Sequence, residues 1–153
     1  MAEQSDIFCN EGIIGSSTIT TVGTMRIVLA KDGVTSTHFM VIPMEHRDHI
    51  DEFTGQETAD FNEALSLIRH VAERRGIASY RLISMVGAES GSTIAHYHMH
   101  VIGVTSADRN DEKFGILMAN PGARPIHYSI EELPKRAREL RAEFDAAKGR
   151  TSH

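Results

Sequence analysis

Three histidines at alternate positions, His96, His98 and His100, constrain this chain more than any other feature of its sequence. In an extended strand, successive side chains point to opposite faces, so these three imidazoles share one face. The residues between and after them, such as Tyr97 and Val101, then point to the other face and into a core. Burying a row of polar rings is costly unless the rings bind or react with something. The pattern therefore predicts a functional site on one face of a strand.

Length and composition favour one soluble domain over residues 1–153. The formal net charge of −5 argues against a dedicated nucleic-acid binder, which normally carries a basic stripe. Cys9 is the only cysteine, so no intrachain disulfide forms and a reducing compartment is expected. Neither a signal-peptide pattern nor an apolar run of the roughly 20 residues that span a bilayer is evident. We therefore expect a cytoplasmic protein that binds neither nucleic acid nor membrane.

Strand and helix signals predict an α+β fold, with an antiparallel sheet, a central helix and a C-terminal helix. Strands are predicted at 17–22, 25–31, 36–43, 80–86 and 94–104, the last of which carries the histidine row. Capping-box sequences at Thr54 and Ser129 open the two helices, the first ending near Gly76 and the second spanning about 130–147. The apolar stripes of the two helices are expected at Phe61, Ala64, Leu65, Ile68 and Val71, and at Leu133, Ala137, Leu140 and Phe144.

Two segments lack a regular pattern. A glycine-marked turn is predicted around Gly12 and Gly15, and residues 106–124 are predicted to be irregular. The short loop 87–92 joins two predicted strands, which are therefore expected to pair as antiparallel neighbours.

Three chemistries suit the histidine row. Alternating imidazoles can hold zinc or another divalent ion as a metal-dependent hydrolase would require, with a carboxylate or a fourth histidine completing the shell. An imidazole nitrogen can instead attack phosphorus, while its neighbours orient it and neutralise phosphate oxygens. In that case the loop Gly91, Ser92 and Thr93 lies where it could meet an anionic group. The third alternative is a module that binds a nucleotide without turning it over.

The segment His96-Tyr97-His98-Met99-His100-Val101-Ile102 resembles the histidine triad (HIT) signature, in which histidines alternate with apolar residues. A second segment, His38-Phe39-Met40-Val41-Ile42-Pro43 followed by Glu45-His46, is similar to an upstream motif of the same family. Asp6-Ile7-Phe8-Cys9 resembles the opening of bacterial members. The order of predicted elements also matches, and the resemblance is strongest to the Hint-like branch.

This resemblance implies a homodimer of α+β subunits that cleaves or transfers at the α-phosphorus of a nucleotide conjugate. The substrate would be a phosphoramidate, a dinucleotide or a nucleotidylated small molecule. By motif position, His98 would be the nucleophile that forms a nucleotidyl-histidine intermediate, and His100 would contact a phosphate oxygen. His96 and His38 would hold and polarise the nucleophile's surroundings. No cofactor is required for such catalysis.

The resemblance also locates a substrate-binding loop and two departures from the family. Thr93 aligns with a serine or threonine on the phosphate side, beside Gly91, and Ser92 stands where most members carry glutamine. Family members usually have an asparagine or glutamine at a position near Met85, and an acidic residue for the ribose hydroxyls at the position of Ala30. The chain therefore retains the phosphate chemistry, and its substrate is expected to differ from a common purine nucleotide conjugate.

Some bacterial family members bind a structural zinc ion, and the resemblance carries this site to Asp6, Cys9, His46 and His96. Asp6 replaces a cysteine, but a carboxylate oxygen is an acceptable zinc ligand. The alternative interpretation makes Cys9 a small core residue and His46 a surface residue.

Overall fold

The computed structural model describes residues 6–90, 92, 94–108 and 111–151. Four helices are α1 (Glu11–Ser17), α2 (Gly55–Arg74), α3 (Asp111–Ala119) and α4 (Glu132–Thr151). The strands are β1 (Thr18–Val22), β2 (Met25–Leu29), β3 (Asp32–Gly33), β4 (His38–Pro43), β5 (Ser79–Ile83), β6 (Met99–Val104) and β7 (Ile126–His127). Single 3₁₀ turns occur at Ile50–Glu52, Ala88–Ser90 and Pro121–Ala123.

Five strands form an antiparallel sheet in the order β1-β2-β4-β6-β5, which confirms the predicted α+β class. The expected pairing of β5 with β6 is confirmed, with Leu82 opposite Val101. A tight turn at Gly23 joins β1 to β2, where φ is +55°. The carboxylate of Asp60 from α2 accepts hydrogen bonds from the amide and hydroxyl of Thr24, both at 2.8 Å. This contact anchors the hairpin to α2.

Helices α2 and α4 cover one face of the sheet and bury the main core against it. The predicted stripes of both helices belong to this core, with Leu65 only partly buried. Tyr97 and Val101 also lie in it and Met99 packs against it, so these residues take the face predicted for them.

The opposite face of the sheet holds a smaller cluster and the histidines. The buried members of this cluster are Phe8, Ile14, Val28 and Ile42. Helix α1 contributes Ile14, and the segment before α1 contributes Phe8. The turn predicted around Gly12 and Gly15 is wrong, because this segment forms helix α1. The side chain of Asn10 accepts hydrogen bonds from two backbone amides of the first turn and so caps the start of the helix.

The prediction that residues 106–124 are irregular is wrong in part, because helix α3 lies within this segment. Its apolar residues Phe114, Leu117 and Met118 pack with Val34 and Ile102 of the sheet region. A short run of this kind has weak helical periodicity, and contact with the sheet stabilises the helix.

The histidine strand is shorter than predicted, because β6 begins only at Met99. The amide of Tyr97 donates to the carbonyl of Arg47 at 2.6 Å, which draws the segment before β6 out of the ladder. Helix α4 begins at Glu132 rather than near 130, after the predicted capping box at Ser129. Helix α4 also continues to Thr151, past the predicted end near 147, and β5 ends at Ile83 rather than at Val86.

Within the described ranges, no helix is both long and apolar enough to cross a membrane.

Candidate active site and metal cluster

The site is built around four buried histidines. His96, His98 and His100 lie in and just before β6, and His38 begins the neighbouring strand β4. The rings of His98 and His100 are 5.1 Å apart, and those of His38 and His100 are 5.0 Å apart. Phe8 meets the ring of His98 edge-on at 5.1 Å. The folding of β4 beside β6 therefore adds a fourth imidazole to the row.

A backbone contact determines which ring nitrogen carries the proton in neutral His38, and through it in neutral His100. The amide of Val34 donates to Nδ1 of His38 at 3.0 Å, so the proton of a neutral His38 ring lies on Nε2. That Nε2 is 2.8 Å from Nδ1 of His100, which must therefore accept. A neutral His100 then carries its own proton on Nε2. This N–H is available to a ligand in the cavity that His100 lines.

In neutral His98 the proton lies on the other ring nitrogen, Nδ1. Its Nδ1 lies 2.8 Å from the carbonyl oxygen of His96, which can only accept a hydrogen bond. The proton of a neutral His98 ring is therefore on Nδ1, and Nε2 presents a lone pair. The row thus places a lone pair on His98 beside an N–H donor on His100, the pairing that attack on phosphorus requires.

Burial keeps these rings neutral. Burial lowers the pKa of His38 to about 3, with a further contribution from the charge of Arg124. It lowers the pKa of His100 to about 2, followed by repulsion from His38, His98 and Arg124. The pKa of His98 is also lowered, again mainly by burial. All three imidazoles are therefore neutral at physiological pH, and the lone pair of His98 is free to react.

His98 and His100 line a cavity of about 660 Å³ between the sheet, α1 and the segments that follow α3. Most of its walls are apolar, including Ile7, Phe8, Ile13, Met40, Met85 and Ile94. Its charged residues are Lys31, Asp32 and Arg124. A cavity of this size, mostly apolar with a few convergent polar groups, is typical of a small-molecule site.

Asp6, Cys9, His46 and His96 form a second cluster behind the row. Their potential ligand atoms all lie within 4.8 Å of one another. Among the described residues, this is the group of three or more such side chains that could hold a metal ion. The N-terminal segment, the loop after β4 and the segment before β6 therefore meet at one point.

The chemistry of this donor set fits a metal ion. Nε2 of His96 lies 2.8 Å from the carbonyl oxygen of Pro43, and Nδ1 lies 3.0 Å from the Asp6 carboxylate. Both partners accept hydrogen bonds, but a neutral imidazole has only one N–H. A lone pair facing a carboxylate is unfavourable unless a proton or a cation lies between them. His46 directs Nδ1 at the same carboxylate at 2.6 Å, and Asp48 lies 2.9 Å from its Nε2. A carboxylate behind a liganding histidine is common around zinc.

The same contacts shift two pKa values in the cluster. Burial alone would raise the pKa of Asp6, but hydrogen bonds from Cys9, His96 and His46 lower it to about 2. The hydrogen bond to Asp6 raises the pKa of His46. A thiol, a carboxylate and two imidazoles make a ligand set in which every member is acceptable to zinc.

Residues 12–107 match the sequence profile of the HIT domain, which is more than half of the chain. The chain belongs to the HIT family. The match includes His38 and all three histidines of the row, and ends just before α3.

Curated relatives support the assignment over a shorter stretch. An uncharacterised HIT-like protein of Rickettsia prowazekii is 36% identical over 69 residues, which are 43% of this chain and 58% of that protein. The protein named hit of Bacillus subtilis is 30% identical over 70 residues, 45% of this chain and 48% of the relative. The chain thus spans between about half and three fifths of the length of these relatives.

Solved structures share the fold at low sequence identity. A zinc-bound histidine triad family protein of Mycobacterium smegmatis has a TM-score of 0.66 at 17% identity, covering 95% of this chain and 97% of the other. The diadenosine triphosphate hydrolase of Plasmodium falciparum, in complex with cyclomarin A, has a TM-score of 0.67 at 14% identity, covering 86% of this chain and 78% of the other. These likenesses confirm the HIT fold.

The substrate-binding loop predicted from the HIT resemblance is only partly described. Gly91 and Thr93 lie outside the described residues. Ser92 donates its hydroxyl to the carbonyl of Ile94 at 3.0 Å and borders a separate cavity of about 250 Å³, which His96 also lines. The described member of the loop therefore faces away from the large cavity.

Both departures from the HIT pattern lie in the wall of the large cavity. Ala30 and Met85 line it, so apolar groups occupy the two positions at which the family resemblance predicts an acid and an amide. Asp32, two residues after Ala30, lines the same cavity and pairs with His127 at 2.7 Å. An acidic side chain is thus present in the cavity, at a shifted position.

Arg124 is the site residue that the sequence does not reveal. It lies in the segment predicted to be irregular, after the Pro121–Ala123 turn, and its side chain is buried beside the cavity. An arginine among proline and glycine residues is usually at the surface. Only the packing of α3 and its following turn brings it to the histidines.

Proposed function

We propose that this HIT protein is a nucleotide hydrolase or nucleotidyltransferase that acts at the α-phosphorus of a nucleotide conjugate through His98. The observation that carries the proposal is the hydrogen bond from Nδ1 of His98 to the carbonyl of His96, which leaves the Nε2 lone pair of His98 on the cavity side. The neutral rings of His38 and His100 support it, because each donates in a direction that the backbone sets.

The proposed reaction has two displacement steps. In the first, the Nε2 lone pair of His98 forms a bond to phosphorus, while the bond to the leaving group breaks and the leaving group takes the electron pair, together with a proton from solvent. In the second, the oxygen of water bonds to phosphorus, and the phosphorus–nitrogen bond returns its electron pair to Nε2. The water proton leaves with the nucleotide product or to solvent. His100 donates Nε2–H to a phosphoryl oxygen, where negative charge develops.

The walls of the cavity support a substrate outside the common purine nucleotide conjugates. Ala30 and Met85 offer no hydrogen-bonding side chain at the positions where the family resemblance predicts contacts to the nucleoside. Phosphoramidates, dinucleotides and nucleotidylated small molecules all present a phosphorus with a departing group. One protein of the same fold is a diadenosine triphosphate hydrolase, which makes dinucleotides a class worth including in the test.

We also propose that Asp6, Cys9, His46 and His96 hold a structural zinc ion. When bound, zinc would link three segments of chain without taking part in the reaction. Phe8 lies between two of the ligands in sequence and packs on the ring of His98, so the cluster would keep Phe8 in place. The metal is therefore expected to stabilise the row rather than to supply chemistry.

A homodimer remains part of the proposal. Tyr80 and Leu82 on the edge strand β5 are 40% and 47% exposed, next to a groove of about 300 Å³ between β5 and α2. Large exposed apolar side chains beside a helix favour association with a second copy. Light scattering should give the mass of two chains for the wild type and of one for Leu82→Asp. A wild-type mass of one chain would contradict the dimer.

The mechanism is tested by trapping the covalent intermediate. The wild type is mixed with nucleoside phosphoramidates, dinucleoside polyphosphates or nucleotidylated amines that carry purine or pyrimidine bases, then quenched rapidly in base and weighed by mass spectrometry. We expect a mass increase on the peptide that contains His98, and none in His98→Ala. His70→Ala is the matched control, because His70 lies on α2 and, within the described part of the chain, pairs with Glu73 alone, at 3.8 Å.

Other outcomes separate the alternatives. Tight binding of these compounds with neither adduct nor turnover would support a non-catalytic nucleotide-binding module. Turnover that chelators abolish, with a metal bound by the row, would support a metal-dependent hydrolase in which His96, His98 and His100 are ligands. Nε2 of His96 lies at the carbonyl of Pro43, and Nε2 of a neutral His100 carries the proton, so neither offers a lone pair to a metal ion held by the row, which favours the nucleophilic mechanism.

A further inference from the structure

Arg124 is a buried cation held by backbone alone. Its guanidinium donates to the carbonyl oxygens of Leu117 at 2.8 Å, Asp32 at 2.9 Å and Met118 at 3.0 Å. These bonds use one N–H of each nitrogen, and a guanidinium has five N–H groups in all. Two donors therefore remain for another acceptor.

Among the described residues, Arg124 has no direct contact with a carboxylate, although the charge of Asp32 acts on it from a distance. The residue is 6% exposed, and its nearest acidic neighbour, Asp32, directs its carboxylate to His127 at 2.7 Å. Among the described residues, Arg124 takes part in no ion pair. The carbonyls of Leu117 and Met118 end α3, so they offset part of the charge through the helix dipole, worth roughly half an elementary charge. Burying the remainder is costly without a partner.

The location of Arg124 indicates what that partner is. It lines the same cavity as His98 and His100, and its charge is felt by both rings and by His38. The three histidines are neutral, so Arg124 is the buried cation beside the proposed nucleophile. Guanidinium groups present two N–H bonds in a planar fork that matches the oxygens of a phosphate or carboxylate.

We propose that Arg124 binds an anionic oxygen of the substrate phosphate and so makes the cavity selective for negatively charged ligands. The proposal rests on the proposed function, because the phosphate is that of the nucleotide conjugate. With neutral imidazoles, the charges lining the cavity are Lys31, Asp32 and Arg124, which sum to one positive charge. A phosphoramidate or phosphodiester carries one negative charge at neutral pH. Conjugates with a single charge at the reacting phosphorus are therefore the best match.

The test compares ligands that differ in charge. Affinities of adenosine, AMP and inorganic pyrophosphate are measured by calorimetry on the wild type, Arg124→Gln and Arg124→Lys. We expect Arg124→Gln to weaken AMP and pyrophosphate at least tenfold while adenosine changes less than twofold, and Arg124→Lys to lose less. Arg136→Gln is the matched control, because Arg136 is a surface residue of α4 that pairs with Glu139.

Equal weakening of AMP and adenosine in Arg124→Gln would overturn the proposal, since it would mean that Arg124 only holds α3 and its carbonyl partners. So would a wild type that binds none of the three compounds. If Arg124→Gln does not fold, the ¹⁵N resonance of the Arg124 Nε–H in the wild type provides the answer. It should shift when pyrophosphate is added and not when adenosine is added, and a resonance that pyrophosphate leaves unmoved would contradict the proposal.

The outcome is separable from that of the proposed function. If no His98 adduct forms but charge discrimination depends on Arg124, the reaction is wrong and the anion site stands. If the adduct forms equally fast in Arg124→Gln and binding is unchanged, the reaction stands and the anion site is wrong.

Discussion

The two ends of the histidine row, His96 at one and His98 with His100 at the other, have different surroundings. At one end, His96 faces a carboxylate and a thiol, beside His46, whose pKa is raised. At the other end, His98 and His100 face an apolar cavity, and burial lowers the pKa of both. Only one residue, Tyr97, separates His96 from His98. The comparison teaches that the partner of each ring, rather than its place in the motif, sets the chemistry available to it, which is why we propose that His96 is a ligand and His98 a nucleophile.

The two ends are also joined. The carbonyl of His96 accepts the N–H of His98, so the backbone that presents one ring to the cluster orients the other toward the cavity. Phe8 contacts both rings, at 5.9 Å for His96 and 5.1 Å for His98.

The largest effect is expected on turnover. His98→Ala removes the nucleophile, so kcat/KM for the most reactive conjugate of the panel should fall on the order of 10⁴-fold, as for other covalent catalysts. His46→Ala changes only the cluster and should keep kcat/KM within about tenfold. Steady-state kinetics measures both. Comparable losses in the two variants would show that the two ends act as one catalytic unit.

The second effect is on stability through the metal. Zinc at a concentration 100-fold above its Kd should raise the free energy of unfolding by about 2.7 kcal/mol. Cys9→Ser and Asp6→Ala should lose this gain and bind less zinc, which elemental analysis and thermal melts can measure.

Chelation provides the internal control for that prediction. A chelator should lower the melting temperature of the wild type and have little further effect on either variant, since their site is already broken. A wild type whose melting temperature and zinc content do not respond to chelation would contradict the zinc site.

The third effect is on the pH dependence of stability. The pKa values of His38 and His100 are about 3 and about 2 in the folded chain, below the ordinary 6.5 of the unfolded chain. The unfolded state therefore binds more protons below pH 6.5, and the free energy of unfolding falls as the pH drops from 6.5 toward the folded pKa values. Each ring contributes at most about 1.4 kcal/mol per pH unit.

Urea unfolding between pH 6.5 and pH 5 measures this slope. His38→Gln should reduce the slope, because one neutral buried ring is removed, and His70→Ala should leave it nearly unchanged. A His38→Gln variant with the wild-type slope would show that His38 does not titrate as its burial requires.

The fold could be predicted from the sequence wherever periodicity and caps agree. The stripe of α2 from Phe61 to Val71 and the capping boxes at Thr54 and Ser129 are local signals, and the structure bears them out. Helices α1 and α3 could not be predicted, because each is short and depends on contacts with distant parts of the chain. The same is true of the start of β6, where the amide of Tyr97 is taken by Arg47.

The candidate site likewise contains residues that the sequence predicts and residues that only the tertiary structure places. The histidine row could be named from its alternation and the four residues of the cluster from the resemblance to the HIT family, and the structure brings the cluster together. Arg124 and Asp32 could not be placed, because their positions depend on the packing of α3 and the pairing of β3 with β7. The proton positions on His38 and His98 depend on single backbone contacts, which no sequence pattern contains.

The smallest effect is expected at Ser92. This residue occupies a position of the family motif but does not line the cavity that His98 lines. Its hydroxyl donates to the carbonyl of Ile94 at 3.0 Å and borders the smaller cavity beside His96 rather than the one that His98 lines. Ser92→Ala should therefore change kcat/KM by less than about threefold, since it loses one hydrogen bond worth about 1 kcal/mol that lies away from the cavity. Kinetics at the pH of the His98→Ala assay measures it. A loss approaching that of His98→Ala would mean that the loop with Ser92 turns toward the cavity when substrate binds. The loop would then act on the reaction together with the two ends of the row.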